Sequence, residues 1–174
     1  MATSADLLLD GFGRIRENVA DVLGGLTPEQ ATYRVDAAAN PVSWLVWHLT
    51  RVQDDHVAGA FGVSQVWSAE HWAVRFGLPE STMDHGFGHT SSDVAVFAAA
   101  TSDAALLARY HEAVYAQTVK LVGEVADPDL DRVVDKRWTP PVTLGVRLVS
   151  VLDDGMQHVG QAAFVRGLVL RHGR

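Results

Sequence analysis

Apolar residues recur at steps of three and four along most of the chain, which is the spacing of an amphipathic α-helix. This pattern predicts four long helices, near residues 4–24, 41–61, 102–126 and 143–172. No stretch alternates for long enough to predict a strand, and no repeat of 20–50 residues is present. Because each long helix has one apolar stripe to bury, the pattern predicts an all-α, up-down four-helix bundle.

Capping residues mark where the predicted helices begin. The expected N-caps of the four long helices are Ser4, Asn40, Ser102 and Thr143. Between the first two helices, Thr27, Pro28 and Gln30 form a capping box and predict one short helix. Residues 62–101 form a long connection between the second and third helices, with a short helix expected within 64–80 and a glycine-bearing loop within 83–93. Residues 127–142 are expected to be irregular, because their prolines exclude a continuous helix.

Length and composition narrow the classes of protein. The 174 residues suit one domain spanning 1–174, and the net charge of −7, with acids and bases interspersed, argues against nucleic acid as a partner. The absence of cysteine excludes disulfides, thiolate ligands and a cysteine nucleophile. The chain shows neither a signal peptide nor an apolar run that could span a bilayer, so we expect a cytoplasmic protein without a membrane partner. Its Ala/Val/Gly/Asp/Arg-rich usage, with only two lysines, indicates a GC-rich, actinobacterial source.

Asp154 and His158 stand four residues apart in an otherwise apolar part of the last predicted helix. At this spacing both side chains lie on one helix face, where a carboxylate and an imidazole can chelate one divalent ion. The alternative is a hydrogen-bonded pair that only stabilises the helix surface. The apolar neighbours favour a pair that points into the bundle, where a carboxylate is costly unless it is paired or bound to metal.

His48 is a third candidate ligand, on the second predicted helix and flanked by tryptophan and leucine residues. A single buried histidine is usually a satisfied core residue, but two helices that each present one from an apolar face favour a shared site. Three protein ligands leave one position for water or substrate, which is typical of catalytic zinc sites. The competing hypothesis is an internal hydrogen-bonded network of these three residues without metal.

Four further residues are candidates for the surroundings of this site. Asp55 could orient a ligand or replace one, and Gln161, one turn beyond the last histidine ligand, could orient it. Arg147 could meet an anionic substrate, and Trp44 is either a pocket wall or a core residue. The remaining histidines are expected in loops or on the surface: His56, His71, His85, His89, His111 and His172. Two of them, His85 and His89, could touch a ligand from the glycine-bearing loop, although a solvated position is favoured for both.

The pairing of "WHL" at residues 47–49 with "DDGMQHVGQ" at residues 153–161 resembles the DinB/YfiT-like superfamily of metal-binding four-helix bundles. The order of the motifs and the "PPVTLG" segment before the last helix agree, and the resemblance covers nearly the whole chain. Many members have a histidine where this chain has Asp154. Two histidines and one carboxylate are instead the pattern of the mycothiol-dependent maleylpyruvate isomerases, which the ligand set resembles most.

The resemblance implies a divalent metal held by His48, Asp154 and His158, with zinc expected first and nickel or another ion as alternatives. It also implies a low-molecular-weight thiol, mycothiol or a similar one, that is transferred to a small electrophile or assists its isomerisation. Two other functions stay open, namely a metal-dependent hydrolase of a small ester or amide and a non-enzymatic metal-binding bundle. The oligomeric state also stays open, with a homodimer as one alternative.

Overall fold

Four long helices dominate the structure, a computed structural model that describes residues 1–171. They are α1 (Ser4–Leu23), α3 (Val42–Phe61), α7 (Ala104–Val122) and α8 (Leu144–Arg171). The predicted all-α four-helix bundle is confirmed. Shorter elements occupy the connections: α2 (Pro28–Thr32), α4 (Val66–Ala69), α5 (Trp72–Arg75), α6 (Ser91–Ala100), a 3-10 helix (Asp127–Asp131), β1 (Val133–Asp135) and β2 (Val142–Thr143).

The long helices follow the order α1, α7, α3, α8 around the bundle axis. Helix α3 therefore lies diagonally opposite α1 and makes its most extensive contact with α8. Apolar side chains from all four helices fill the interior, among them the fully buried Phe12, Trp47, Leu107 and Leu148. This arrangement places α3, which carries "WHL", directly beside α8, which carries "HVGQ".

Helix boundaries differ from the prediction where a neighbouring residue caps the helix instead. The observed caps are Thr3 for α1, Pro41 for α3 and Asp103 for α7, in place of the predicted Ser4, Asn40 and Ser102. Thr3 and Asp103 accept hydrogen bonds from backbone N–H groups two or three residues later, which satisfies free donors at the helix start. Helix α7 ends at Val122 rather than near 126, because Gly123 has a low helix propensity. The predicted last residue of α8, His172, lies outside the described residues.

The two long connections contain more structure than the sequence pattern indicates. Residues 62–101 hold three helices, α4, α5 and α6, where one short helix was expected. The segment expected to be irregular includes β1 and β2, which pair antiparallel with Val133 opposite Thr143. These strands have only three and two residues, too few to show an alternating pattern. Within residues 1–171, none of the helices has the length and hydrophobicity needed to cross a membrane.

A buried arginine on α3 ties the first connection to the bundle. The guanidinium of Arg51 is fully buried and donates to the Asp54 carboxylate at 3.2 Å and to the Tyr110 hydroxyl at 3.2 Å. It also donates to the backbone carbonyls of Asp84 at 3.1 Å and Met83 at 3.3 Å. One charged group thus fixes the beginning of the glycine-bearing loop, residues 83–93.

The carboxylate of Asp54 fixes the beginning of the same connection. Its oxygens accept hydrogen bonds from the backbone N–H groups of Val66 and Trp67, each at 2.8 Å, at the start of α4. A buried ion pair is costly to break, because removal of one partner leaves the other charge unpaired in a medium of low polarity. The pair of Arg51 and Asp54 therefore holds the beginning and the middle of the connection on α3.

Replacement of Asp54 by alanine is expected to lower the free energy of unfolding by about 3–5 kcal/mol, because Arg51 would remain buried without its carboxylate. Chemical denaturation monitored by circular dichroism measures this change. Asp10→Ala is the control, since Asp10 pairs with Arg14 in solvent and its loss should cost less than about 1 kcal/mol. Equal losses in the two variants would contradict the structural role of the buried pair.

Candidate metal centre

Three side chains predicted as ligands converge where α3 and α8 pack together. His48, Asp154 and His158 each offer one ligand atom, and these atoms lie within 4.8 Å of one another. The two imidazole rings meet edge to face with centroids 4.7 Å apart. Two of the residues are neighbours on α8 because of their four-residue spacing, whereas the third reaches them only through the packing of α3 against α8. This cluster could hold a metal ion.

Burial sets the charge of the cluster. His48 is buried, and the loss of solvent lowers its pKa to about 4, so its imidazole is neutral at pH 7 and keeps a free lone pair. Burial also raises the pKa of the half-buried Asp154, an effect that the adjacent His158 opposes. A neutral imidazole with a free lone pair and a partly desolvated carboxylate are favourable ligands for a divalent cation.

One oxygen of Asp154 lacks a partner. Its Oδ2 is buried and accepts no hydrogen bond from the residues that the structure describes, 1–171. Its Oδ1 lies 3.6 Å from Nε2 of His158, which is beyond hydrogen-bonding distance. The three residues therefore do not form the closed hydrogen-bonded network of the metal-free hypothesis. A buried, unsatisfied carboxylate oxygen beside two imidazoles instead fits a cation.

The outer nitrogen of each histidine has its own hydrogen bond. Nδ1 of His158 lies 3.1 Å from the side-chain oxygen of Gln161, one turn further along α8. Nδ1 of His48 is hydrogen-bonded to the backbone carbonyl of His85. Since a carbonyl oxygen can only accept, both Nδ1 atoms carry the hydrogen and both Nε2 atoms are left as ligands.

The loop that supplies this carbonyl packs tightly over His48. Gly86 adopts a φ of +93°, and a Cβ atom at this position would lie 2.9 Å from Nδ1 of His48 and 2.9 Å from the Trp44 ring. Trp44 itself stacks on the imidazole, with ring centroids 4.7 Å apart and planes inclined by 12°. Gly88 also has a positive φ of +80°, but a Cβ there would meet nothing within 4 Å. A close contact with His48 and Trp44 therefore excludes a side chain at Gly86 but not at Gly88.

Several histidines lie elsewhere than predicted. The side chain of His89 is only 6% exposed, with Nδ1 3.1 Å from Nε1 of Trp44, so its assignment to the surface was wrong. His111 is 2% exposed and hydrogen-bonded to a threonine hydroxyl of α3, so it is a core residue rather than an exposed one. His56 and His85 are half-buried rather than on the surface, whereas His71 is exposed as expected.

A pocket of about 280 Å³ opens beside the cluster. His48 and Asp154 lie at its base, and two exposed aromatic side chains, Phe87 and Trp138, stand at its mouth. The other residues that line it are Val52, His56, His85, Asp135, Arg137 and Arg147. The pocket thus combines an apolar mouth, histidines and a pair of arginines around the candidate metal position.

The residues expected around the ligands occupy two different places. Arg147 lines the pocket, but its guanidinium already binds Asp135 at 3.0 Å. Asp55 lies outside this pocket, where it accepts a hydrogen bond from Gln65 at 2.6 Å and lies 3.1 Å from Nδ1 of His56. It is therefore not placed as an alternative ligand of the cluster.

Sequence reasoning missed the contributions of the loop and of the hairpin. The missed residues are His56, Gly86, Asp135, Arg137 and Trp138. For His85 the sequence left a ligand contact open but favoured a solvated position, whereas the structure places it in the lining of the pocket. Two signals were available in the sequence: "HGFGH" at residues 85–89, where glycines alternate with histidine and an aromatic residue, and "DKRW" at residues 135–138, which is charged and aromatic in an otherwise short connection. Neither signal indicates by itself what the segment contacts.

Comparison with known proteins assigns the family. The family model for mycothiol S-transferases matches residues 7–170. The fold is similar to that of a conserved protein from Enterococcus faecalis known from its crystal structure, with a TM-score of 0.85 and 31% sequence identity over 98% of this chain and 99% of that chain. No curated protein matches the sequence. The chain therefore belongs to the mycothiol S-transferase family, within the DinB/YfiT-like helical bundles.

Proposed function

We propose that this protein is a metal-dependent enzyme that transfers a low-molecular-weight thiol, mycothiol or a similar one, to a small electrophile or uses it for isomerisation. The observation that carries the proposal is the convergence of two imidazoles and a buried, unpartnered carboxylate oxygen beside an open pocket, which His48 and Asp154 line. Membership of the mycothiol S-transferase family supports the thiol. Because the chain has no cysteine, any sulfur in the reaction would have to come from a cosubstrate.

The metal would be held by Nε2 of His48, a carboxylate oxygen of Asp154 and Nε2 of His158. Nitrogen and carboxylate ligands in this number suit zinc, although nickel or another divalent ion is compatible with them. A cation bound there would supply an open position at which the pKa of a thiol or of water is lowered.

We assign the acceptance of the thiol proton to His56. It lines the pocket, and its Nδ1 lies 3.1 Å from a carboxylate oxygen of Asp55, which leaves Nε2 free to take a proton. The contact with His56 lowers the pKa of Asp55, so that the carboxylate is charged and stabilises the protonated imidazole. The S–H proton passes to His56, a bond forms between sulfur and the electrophilic carbon, and the leaving group departs with the electron pair.

The mouth of the pocket supports an apolar electrophile. Phe87 is 86% exposed and Trp138 is 64% exposed, and the apolar Val52 belongs to the same lining. Large apolar side chains that stand in solvent at a pocket mouth gain free energy when an apolar group covers them. A small aromatic or aliphatic electrophile could bind there with its reactive carbon toward the metal position.

A hydrolase is the second candidate, because the same open position could activate water in place of a thiol. A metal-binding bundle without catalysis is the third. The dependence of turnover on thiol separates the first two, and metal content without turnover indicates the third.

Replacement of His158 by alanine is expected to abolish stoichiometric metal binding, because two ligands on different helices cannot replace a three-point site. Asp154→Asn should weaken binding, since a neutral amide is a poor ligand for zinc. Elemental analysis and metal titration of the purified variants measure both effects. His71→Ala is the control, because His71 is exposed and far from the cluster in sequence. Full metal content in both ligand variants would refute the assignment.

Gly86→Ala is expected to lower metal affinity by about 10–100-fold, because the added methyl group would displace either the His85 carbonyl or the His48 ring that it orients. Gly88→Ala is a matched control: both substitutions place alanine at a positive φ and should cost about 1–2 kcal/mol of stability. Only the first meets a neighbouring side chain. Competition with a chromogenic chelator measures the affinities, and equal values for the two variants would contradict the role of the loop.

Turnover is expected to require both thiol and metal. With monochlorobimane as the electrophile, the protein should form a fluorescent thioether only when mycothiol or another small thiol is added, and a chelator should stop the reaction. His56→Gln should lower thiol-dependent kcat by about 10²–10⁴-fold, because His56 is a pocket histidine that a carboxylate orients. Fluorescence assays at fixed metal content measure these rates.

The matched control for this prediction is His71→Gln, which should keep the rate of the parent protein. Ester hydrolysis in water alone, at a rate that thiol does not change, would favour the hydrolase instead. Full metal content without turnover on any electrophile would favour the non-enzymatic bundle. A His56→Gln variant with unchanged kcat would remove this histidine from the proposed reaction.

A further inference from the structure

The side of α8 that faces away from the bundle carries large apolar side chains in contact with solvent. They are Val146, Val149, Met156, Phe164 and Leu170, each at least 44% exposed. Among the exposed residues of α8, only Asp153 and Arg171 are charged. We refer to this side as the outer face of α8. An exposed helix face is ordinarily polar, and a contiguous apolar one is typical of a protein interface.

Four exposed residues along the centre of the outer face are arranged symmetrically. Asp153, Gly160, Phe164 and Arg171 follow one another at spacings of seven, four and seven residues. At 3.6 residues per turn, they lie within about 40° of one another around the helix axis. Both the outer pair and the inner pair are centred on position 162. A second α8 laid antiparallel about this position would place each acid beside a base and each phenylalanine beside a glycine.

The charges favour the antiparallel orientation over the parallel one. In the antiparallel pair, the Asp153 carboxylate of each chain meets the Arg171 guanidinium of the other, which gives two symmetry-related ion pairs. In a parallel pair each residue would lie beside its own copy, so that like charges would meet. Among residues 1–171, the carboxylate of Asp153 accepts one hydrogen bond, from the Gln157 amide at 2.8 Å. It therefore has lone pairs free for an arginine.

The inner pair is complementary in size. Phe164 is 66% exposed, whereas a Cβ atom at Gly160 would meet nothing within 4 Å. Both residues line a cavity of about 470 Å³, whose other walls include Val35 and Leu45 and contain no charged side chain. A phenyl ring from a second chain would leave solvent and enter this uncharged space over the glycine. Aromatic side chains that fill such pockets commonly contribute most of the binding free energy of an interface.

We propose that the protein forms a symmetric dimer through the outer face of α8, with the two helices antiparallel and centred on position 162. The occupant of the face is thus a second copy of this chain. The contact would extend over about 27 Å between Asp153 and Arg171, and the glycine at its centre would allow the two helices to approach closely. The inference is independent of the proposed reaction, because the candidate ligands of α8 converge with His48 of α3 instead.

Gly160→Gln tests the inner pair, because its side chain has room in a single chain but would occupy the space of the second chain's Phe164. Sedimentation velocity should show the parent protein at twice the chain mass of 18.8 kDa. The variant should raise the Kd of the dimer by at least about 30-fold, the effect of losing a dominant interface contact. It should keep the helical circular dichroism of the parent, because glutamine has a higher helix propensity than glycine.

The matched control is Gly59→Gln, which introduces the same side chain at another helical and open position, on α3, and should leave the dimer intact. Phe164→Ala removes the other member of the inner pair and should weaken the dimer by a similar factor, while its exposure in the single chain leaves the fold unaffected. A dimer that is insensitive to both Gly160→Gln and Phe164→Ala would lie on another surface and would overturn this inference.

Reversal of the charges tests the outer pair. Asp153→Arg and Arg171→Asp should each raise the Kd by about tenfold or more, because like charges would then meet at both ends of the contact. The double variant exchanges the two charges and should restore the Kd of the parent to within about threefold. A double variant that is weaker than both single variants would show that these residues do not pair.

The register can be measured directly because the chain has no cysteine of its own. In an equimolar mixture of Asp153→Cys and Arg171→Cys chains, a short bismaleimide reagent should join one chain of each kind. It should not join two identical chains, since equivalent positions would lie about 27 Å apart along the paired helices. Cross-links between identical chains that form equally fast would contradict the register. A parent protein that remains monomeric at concentrations up to about 100 μM, where a specific dimer should be populated, would overturn the proposal itself.

Discussion

The buried ion pair of Arg51 and Asp54 holds the long connection between α3 and α7 against the helical bundle. Both side chains are fully buried, yet their partners are mainly groups of the long connection between α3 and α7 rather than of the long helices. A guanidinium without its carboxylate and carbonyl partners would be severely destabilising in this interior, so the connection is confined to one path. Hydrophobic packing alone, which is not directional, would allow the loop several positions.

That path determines how His48 is presented. The loop runs from Met83 and Asp84, which accept from the buried arginine, directly to the His85 carbonyl that orients the imidazole. The absence of a Cβ at Gly86 allows the backbone to approach this closely. The candidate metal centre therefore has three supports: α3 carries one ligand, α8 carries two, and the loop fixes the tautomer of the first. A change in the loop, far in sequence from any ligand, is coupled to the geometry of the site.

The hairpin of β1 and β2 contributes side chains to the pocket in addition to those of the long helices. A helical bundle that carries two histidines and a carboxylate is a general metal-binding scaffold, and fold alone does not determine its reaction. Asp135, Arg137 and Trp138, all contributed by the hairpin and its turn, line the pocket beside the ligands. Variation in this short segment would change the lining of the pocket without replacing the candidate ligands on α3 and α8.

The features that depend on local periodicity could be predicted from the sequence alone. The four long helices, the capping box at Thr27 and the common face of Asp154 and His158 follow from spacing along one helix. The pairing of "WHL" with "HVGQ" also indicated the superfamily and the third candidate ligand. Tertiary structure alone decided which helices are neighbours, that His111 is buried, and that a loop carbonyl rather than a side chain holds His48. The physical reason is that these contacts join segments distant in sequence, and their formation depends on the path of a connection that no local pattern specifies.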